Sequence, residues 1–107
     1  MKKYRMEKAR DNLFRVVALK DFGDVKKGDV GGFIEKEENL SQEGLCWVYD
    51  NALICEGARV SDNARVLRWA CVKGSSRVSG DATISGKACV SGNSFVEERA
   101  KVKDPVS

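Results

Sequence analysis

The sequence predicts an all-β protein: a parallel β-helix of six-residue repeats, with 18 residues per coil and an N-terminal β-rich cap. Two periodic features carry this prediction. Residues spaced by six are all β-branched aliphatics: Val48, Ile54, Val60, Val66, Val72, Val78, Ile84, Val90, Val96 and Val102. Residues two positions earlier are all small: Cys46, Ala52, Ala58, Ala64, Ala70, Ser76, Ala82, Ala88, Ser94 and Ala100. Such a repeat indicates a solenoid.

The geometry of a strand explains the six-residue step. Side chains two apart point to the same face, so each repeat sends one small and one branched residue inward. Six residues are too few for a hairpin or a βαβ unit, but three short strands make one coil of a solenoid. Glycine, asparagine and aspartate tolerate the bends between strands, and they lie there at Asn51, Gly57, Asn63, Gly74, Gly80, Asp81, Gly86, Gly92 and Asn93. Stacking by 18 predicts three inward ladders: Val48/Val66/Ile84/Val102, Ile54/Val72/Val90 and Val60/Val78/Val96.

Residues 1–45 lack the repeat and are predicted to form the cap, whereas residues 46–104 form about 3.3 coils. Leu13 to Leu19 is predicted to be a strand, preceded by a turn at Asp11-Asn12 and an earlier strand from Tyr4 to Glu7. The following segment is rich in glycine and charge, which indicates an ordered loop with short strands. A solenoid needs its first coil covered, and this segment is available to cover it.

The stretch from Leu19 to Ala52, LKDFGDVKKGDVGGFIEKEENLSQEGLCWVYDNA, resembles a group of uncharacterised hexapeptide-repeat proteins of bacteria and their prophages. The repeat itself is distantly similar to that of the hexapeptide acyltransferases. This resemblance implies a left-handed β-helix, against the general preference for right-handed crossovers. It also raises the possibility of acyl transfer, for which those enzymes use a histidine as general base.

The chain contains no histidine. No carboxylate lies in an apolar sequence context that would raise its pKa towards neutrality. We therefore expect no enzyme activity, no catalytic residues and no cofactor. A divergent acyltransferase-like enzyme stays an alternative.

Three cysteines have predicted positions on the helix. Cys46 takes an inward small position, where a free thiol acts as a small apolar group. Cys71 and Cys89 lie 18 residues apart and face outward on adjacent coils, so they are either reduced neighbours or a disulfide. The spacing gives no metal site, and no basic partner marks any of these thiols as a nucleophile.

The outward positions are the candidate interface. One wall presents Leu53, Cys71 and Cys89, with Leu67 and the corner residue Trp69 beside it, and this apolar stripe is the preferred contact surface. Another wall begins with Trp47, although the cap could instead cover Trp47 and Tyr49. The remaining wall presents Arg59, Arg77 and Phe95, where the two arginines could meet an acidic partner or phosphates. Single surface hydrophobes are also common without any function.

Basic and acidic residues nearly balance in this chain. Nineteen basic residues against sixteen acidic ones leave a net charge of +3, too small to indicate nucleic acid or a membrane. No export signal or membrane span is evident, so we expect a cytoplasmic protein.

The predicted function is non-enzymatic binding or scaffolding through flat walls, with self-association into a homo-oligomer. An open last coil, blunted by Pro105, offers another route to assembly. The alternative is a phage-encoded inhibitor that binds a host defence protein or sequesters a small ligand.

Overall fold

The computed structural model describes residues 2–103, and Pro105 lies outside this range. The described chain is built from thirteen strands and one short 3₁₀ helix, Glu37–Asn39. Three strands form the cap: β1 (Tyr4–Arg10), β2 (Leu13–Ala18) and β3 (Val30–Ile34). Ten two-residue strands follow: β4 (Trp47–Val48), β5 (Leu53–Ile54), β6 (Arg59–Val60), β7 (Arg65–Val66), β8 (Cys71–Val72), β9 (Arg77–Val78), β10 (Thr83–Ile84), β11 (Cys89–Val90), β12 (Phe95–Val96) and β13 (Lys101–Val102). Within residues 2–103, no helix is long and apolar enough to cross a membrane.

The coils stack in parallel with a step of 18 residues, which confirms the predicted fold class. The first wall consists of β4, β7, β10 and β13, the second of β5, β8 and β11, and the third of β6, β9 and β12. The register places Val48 beside Val66 and Ile84 beside Val102. The predicted inward ladders are therefore correct, and together with the small residues they form the core.

The bends between strands hold an unexpected backbone conformation. Residues with positive φ recur every six positions, at Asp50, Glu56, Asp62, Arg68, Gly74, Gly80, Gly86, Gly92 and Glu98. Five of these are not glycine, although the left-handed region is costly for most side chains. At three of the five, the carboxylate accepts from a backbone amide of the next coil: Asp50 from Arg68 at 3.0 Å, Glu56 from Gly74 at 2.8 Å and Asp62 from Gly80 at 2.9 Å. These hydrogen bonds offset part of that cost. The bends predicted at Asn51, Gly57 and Asn63 are present, but the positive φ falls on the residue before each of them.

The cap continues the solenoid rather than only covering it. Strands β1 and β2 form an antiparallel hairpin, as predicted, and β2 pairs with β3. Strand β3 then pairs in parallel with β5, so the second wall extends into a six-stranded sheet. The boundary between residues 45 and 46 stays a prediction, but parallel stacking already exists before it.

The stacking step is 20 residues in this region instead of 18. Ile34 pairs with Ile54, and Leu40 pairs with Val60. Ile34 and Leu40 are still six apart, so the two extra residues fall between Leu40 and Val48. Gly32 occupies the small position two before Ile34, where a Cβ would lie 2.6 Å from the carbonyl oxygen of Ala52. The six-residue pattern therefore begins at Ile34 and is interrupted once.

Candidate functional site

A groove of about 830 Å³ runs along the third wall. Its floor is the outward face of β6, β9 and β12, and its side is the cap segment around the 3₁₀ helix. The lining residues are Glu37, Glu38, Leu40, Ser41, Gln42, Arg59, Val60, Ser61, Arg77, Ser79, Phe95 and Glu97. The groove is thus a surface concavity made jointly by the cap and the solenoid.

Two arginines and a phenylalanine form one outward ladder on the groove floor. Arg59 pairs in register with Arg77, and Arg77 with Phe95, because each precedes an inward valine. Adjacent strands are about 4.8 Å apart, so the backbones of the two arginines are separated by about this distance. All three side chains are exposed, Phe95 to 69%. Among the residues that the structure describes, neither arginine forms an ion pair.

A column of hydroxyl groups lies beside the arginine ladder. Ser41, Ser61 and Ser79 hold equivalent positions, because their amides donate to the carbonyl oxygens of successive coils: Val60, Val78 and Val96. Each serine comes directly after an inward residue and is half-buried. Glu97 takes the next position of this column, on the last coil. The floor therefore offers guanidinium groups and hydroxyl groups side by side.

Asn39 anchors the cap side of the groove. Its side-chain oxygen accepts from the amides of Glu35 and Lys36, both at 3.0 Å. Its amide nitrogen donates to the carbonyl oxygens of Glu56 at 3.1 Å and Ala58 at 2.8 Å. A buried asparagine with four hydrogen bonds is well satisfied, and here it joins the 3₁₀ helix to the first regular coil.

Glu37 stands at the cap edge of the groove with its charge already engaged. Its carboxylate accepts from the Lys2 ammonium at 3.1 Å and from the Gln42 amide at 3.1 Å. These hydrogen bonds, with Lys2 the larger cause, hold the pKa of Glu37 below its usual value. A general base needs a raised pKa near neutrality, so Glu37 is poorly suited to proton transfer.

The second wall carries the predicted apolar stripe, with one addition from the cap. Phe33 of β3 lies in register with Leu53, and Leu53 with Cys71. The Arg15 guanidinium lies 4.2 Å from the Phe33 ring centroid, which shields that end of the stripe from water. Leu53 and Cys71 are half-buried, whereas Cys89 is exposed. The stripe is therefore narrow, and its role as an interface stays a prediction.

Cys71 and Cys89 are aligned on adjacent strands, and both are free thiols. Adjacent strands lie about 4.8 Å apart, which is within the Cα separation that a disulfide tolerates, so the choice between reduced neighbours and a disulfide stays a prediction. Burial, together with the neighbouring Cys89 and Cys55, raises the pKa of Cys71 to about 11. Cys55 also interacts with Cys71, although its position in the repeat differs. No metal-binding cluster occurs within residues 2–103.

The cap covers Trp47, so this residue is not part of an exposed interface. Trp47 is 2% exposed, and its ring makes edge contacts with Tyr4 at 6.1 Å and Phe22 at 5.2 Å between centroids. Leu67 lines a smaller cavity of about 210 Å³ together with Tyr49. Trp69 projects from a corner and is 66% exposed.

The predicted site residues do not form one surface. The structure places Leu53, Cys71 and Cys89 on the second wall and Arg59, Arg77 and Phe95 on the third. Sequence reasoning missed the cap residues that complete the groove. Counting back from Val48 in steps of six does not reach Leu40, because two extra residues lie between them.

Two comparisons with known proteins agree with this architecture. Residues 76–92 match a family model described as YdcK beta solenoid repeat. A 50-residue stretch is 48% identical to a protein of Escherichia coli (strain K12) named "Uncharacterized acetyltransferase YdcK". The match covers 46% of this chain but 15% of that relative's length. The matched family model thus describes the same kind of repeat that the structure shows at residues 76–92.

Proposed function

We propose that this chain is a non-enzymatic binding protein that holds a partner protein in the groove on its third wall. The observation that carries the proposal is the groove floor, where the exposed side chains of Arg59, Arg77 and Phe95 line up across three successive coils. Arginine and aromatic side chains dominate the energetics of protein interfaces. A concave site lets them contact a partner from more than one direction.

Rigidity supports the same function. The backbone under the floor is fixed by hydrogen bonds between coils, such as Arg59 N to Ser76 O at 3.0 Å and Arg77 N to Ser94 O at 2.9 Å. The inward side chains Val60 and Val78 are buried in the core. A pre-ordered surface loses little conformational entropy on binding. The third wall is therefore suited to binding a partner without a conformational change of the backbone.

Site-specific photo-crosslinking tests this function. A photoreactive phenylalanine analogue replaces Glu97 at the end of the groove, and in a matched variant it replaces Ser91 on the second wall; both positions are exposed. We expect a discrete protein adduct from position 97 in cells that express the chain, and none of that size from position 91. The captured protein, identified by mass spectrometry and purified, should bind the wild-type chain and bind Phe95→Ser at least about tenfold more weakly.

An adduct of equal yield from both positions would contradict a groove-directed partner. So would a purified candidate whose affinity is the same for wild type and Phe95→Ser. Phe95 is exposed, so its replacement should leave the fold intact, and a thermal melt provides the control.

Acetyl transfer is the second candidate, favoured by the name of the Escherichia coli relative. The chain spans only a small part of that relative, and it has no histidine to serve as general base. Acetyl-coenzyme A mixed with sugar and amine acceptors should release no thiol above background, once the four cysteines of the chain are blocked. Turnover that co-purifies with the protein and is lost on mutation of Glu38 or Glu97 would establish the enzyme instead.

A further inference from the structure

We infer that the groove selects an acidic segment of its partner protein, with the carboxylates held between Arg59 and Arg77. This inference rests on the proposed function and names the chemistry of the partner. The sequence pattern alone suggests an acidic or phosphate-bearing ligand for these arginines. The structure adds three observations. The two arginines are aligned on adjacent strands, serine hydroxyl groups lie beside them, and glutamates lie at the ends of the groove.

The two arginines on the groove floor are not paired with an acidic side chain in the described part of the chain. Two like charges directly opposite each other on neighbouring strands repel, and Arg59 and Arg77 are such a pair. Their side chains form no ion pair with any residue from 2 to 103. A carboxylate bound between them relieves the repulsion and accepts directed hydrogen bonds from both guanidinium groups.

Hydroxyl donors lie next to the arginines. Ser61 and Ser79 stand one position beyond Val60 and Val78, on the same floor. Their hydroxyl groups can donate to an anion's remaining oxygen atoms. Both serines are partly exposed, so their hydroxyl groups remain accessible to a ligand in the groove.

Acidic residues lie at both ends of the groove. Glu38 is on the cap side, and Glu97 is on the last coil. Glu37 is already engaged by Lys2 and Gln42. Glu38 and Glu97 therefore repel an anion from both ends and confine it to the middle. This arrangement favours a short acidic cluster over a long polyanion.

Phe95 selects the residue next to the acidic cluster. It is the rung after Arg77 and is 69% exposed. An apolar side chain on the partner would cover this ring and remove it from water. The expected ligand is thus a segment with one or two carboxylates and then an apolar residue.

Fluorescence anisotropy with labelled octapeptides tests this inference. One peptide carries two central aspartates followed by leucine, and the matched peptide carries asparagines in place of the aspartates. Inorganic phosphate serves as a competitor. We expect the aspartate peptide to bind at least about tenfold more tightly than the asparagine peptide, and phosphate at equal concentration to displace little of it.

Single substitutions test how each charged residue of the groove changes the affinity for the aspartate peptide. Arg59→Gln and Arg77→Gln should each weaken aspartate-peptide binding about tenfold, because each removes a charge-assisted pair. Arg65→Gln is the matched control, since Arg65 is an exposed arginine at the equivalent repeat position of the first wall. It should change the affinity less than about twofold. Glu97→Gln should tighten binding, because it removes a repelling charge.

Three outcomes would overturn the inference: equal affinity for the two peptides, an equal loss in Arg65→Gln, or phosphate that binds more tightly than the peptide. The crosslinking experiment separates this failure from failure of the proposed function. An adduct at position 97 that persists in the Arg59→Gln, Arg77→Gln double variant keeps the binding function and rejects the acidic ligand.

Discussion

The ammonium group of Lys3 lies 2.7 Å from the Cys46 carbonyl oxygen and 3.3 Å from the Cys46 sulfur. Carbonyl oxygens of Glu43 and Gly44 lie at 3.4 Å, and the ring centroid of Phe22 at 5.0 Å. Lys3 is 1% exposed. Desolvation by burial lowers the pKa of Lys3 and raises that of Cys46. The buried Lys3 side chain therefore joins the start of β1 to the segment between Leu40 and Val48, which holds the two extra residues.

Replacement of Lys3 by methionine should lower the free energy of unfolding by about 3 kcal/mol, because the carbonyl oxygens around it lose their donor. Urea unfolding followed by circular dichroism measures the change. Lys8→Met, at an exposed position of β1, should shift stability by less than about 0.5 kcal/mol. Identical midpoints for the two variants would show that Lys3 contributes nothing to cap docking.

Asn39→Ala should also destabilise the chain, by about 2 kcal/mol, because buried backbone groups on both sides lose their partner. The same variant should weaken partner binding, since the side of the groove is no longer anchored. Asn93→Ala, at an exposed bend, serves as the control in both assays. Normal stability with normal binding would mean that the 3₁₀ helix is held by other contacts.

Val72→Asp should unfold the protein, since Val72 is fully buried on a central coil and an unpaired buried charge costs several kcal/mol. Lys73→Asp, one residue further and exposed, should leave a cooperative transition. Thermal melts of both variants make the comparison. Similar melting temperatures would contradict the inward assignment of the valine ladder.

The repeat could be predicted from the sequence because each strand obeys a local rule. A buried valine such as Val72 and an alanine two positions before it result from strand alternation alone. The burial of Lys3 could not be predicted, because a lysine is normally exposed and its acceptors are distant in the sequence. The groove was missed for a related reason: the insertion after Leu40 hides the coil that contributes its side.

Alkaline pH should destabilise the chain through a half-buried thiol whose pKa is raised in the folded state. The pKa of Cys71 is raised to about 11, so this thiol stays protonated in the folded chain while its unfolded counterpart ionises near 9. Its stabilising contribution is complete below about pH 9 and is lost as the pH rises towards 11. The lowered pKa of Lys3 acts in the opposite direction, adding stability as the pH rises towards 10.5.

Urea unfolding at several pH values between about 8 and 11 measures this dependence. Cys71→Ala should flatten the decline in stability above about pH 9, whereas Ser91→Ala should leave it unchanged. A decline of equal slope in wild type and Cys71→Ala would assign the alkaline effect to other groups.

Self-association through the second wall can be tested separately from the groove. We expect light scattering to give an oligomer for the wild type and a monomer for Leu53→Lys and Cys89→Lys, since each places a charge in a contact that excludes water. Thr83→Lys on the first wall is the control. A wild-type chain that stays monomeric at high concentration would remove the homo-oligomer from consideration.

Each coil adds one strand to every wall, so the number of coils sets the length of the groove. Insertion of about 18 residues after Ser79 would add one rung between Arg77 and Phe95 and lengthen the floor by about 4.8 Å. Insertion of a single six-residue repeat at the same point would instead rotate every later strand by one wall, so that Phe95 would leave the arginines. The separation of Arg77 and Phe95 along the floor can therefore be changed only in whole coils.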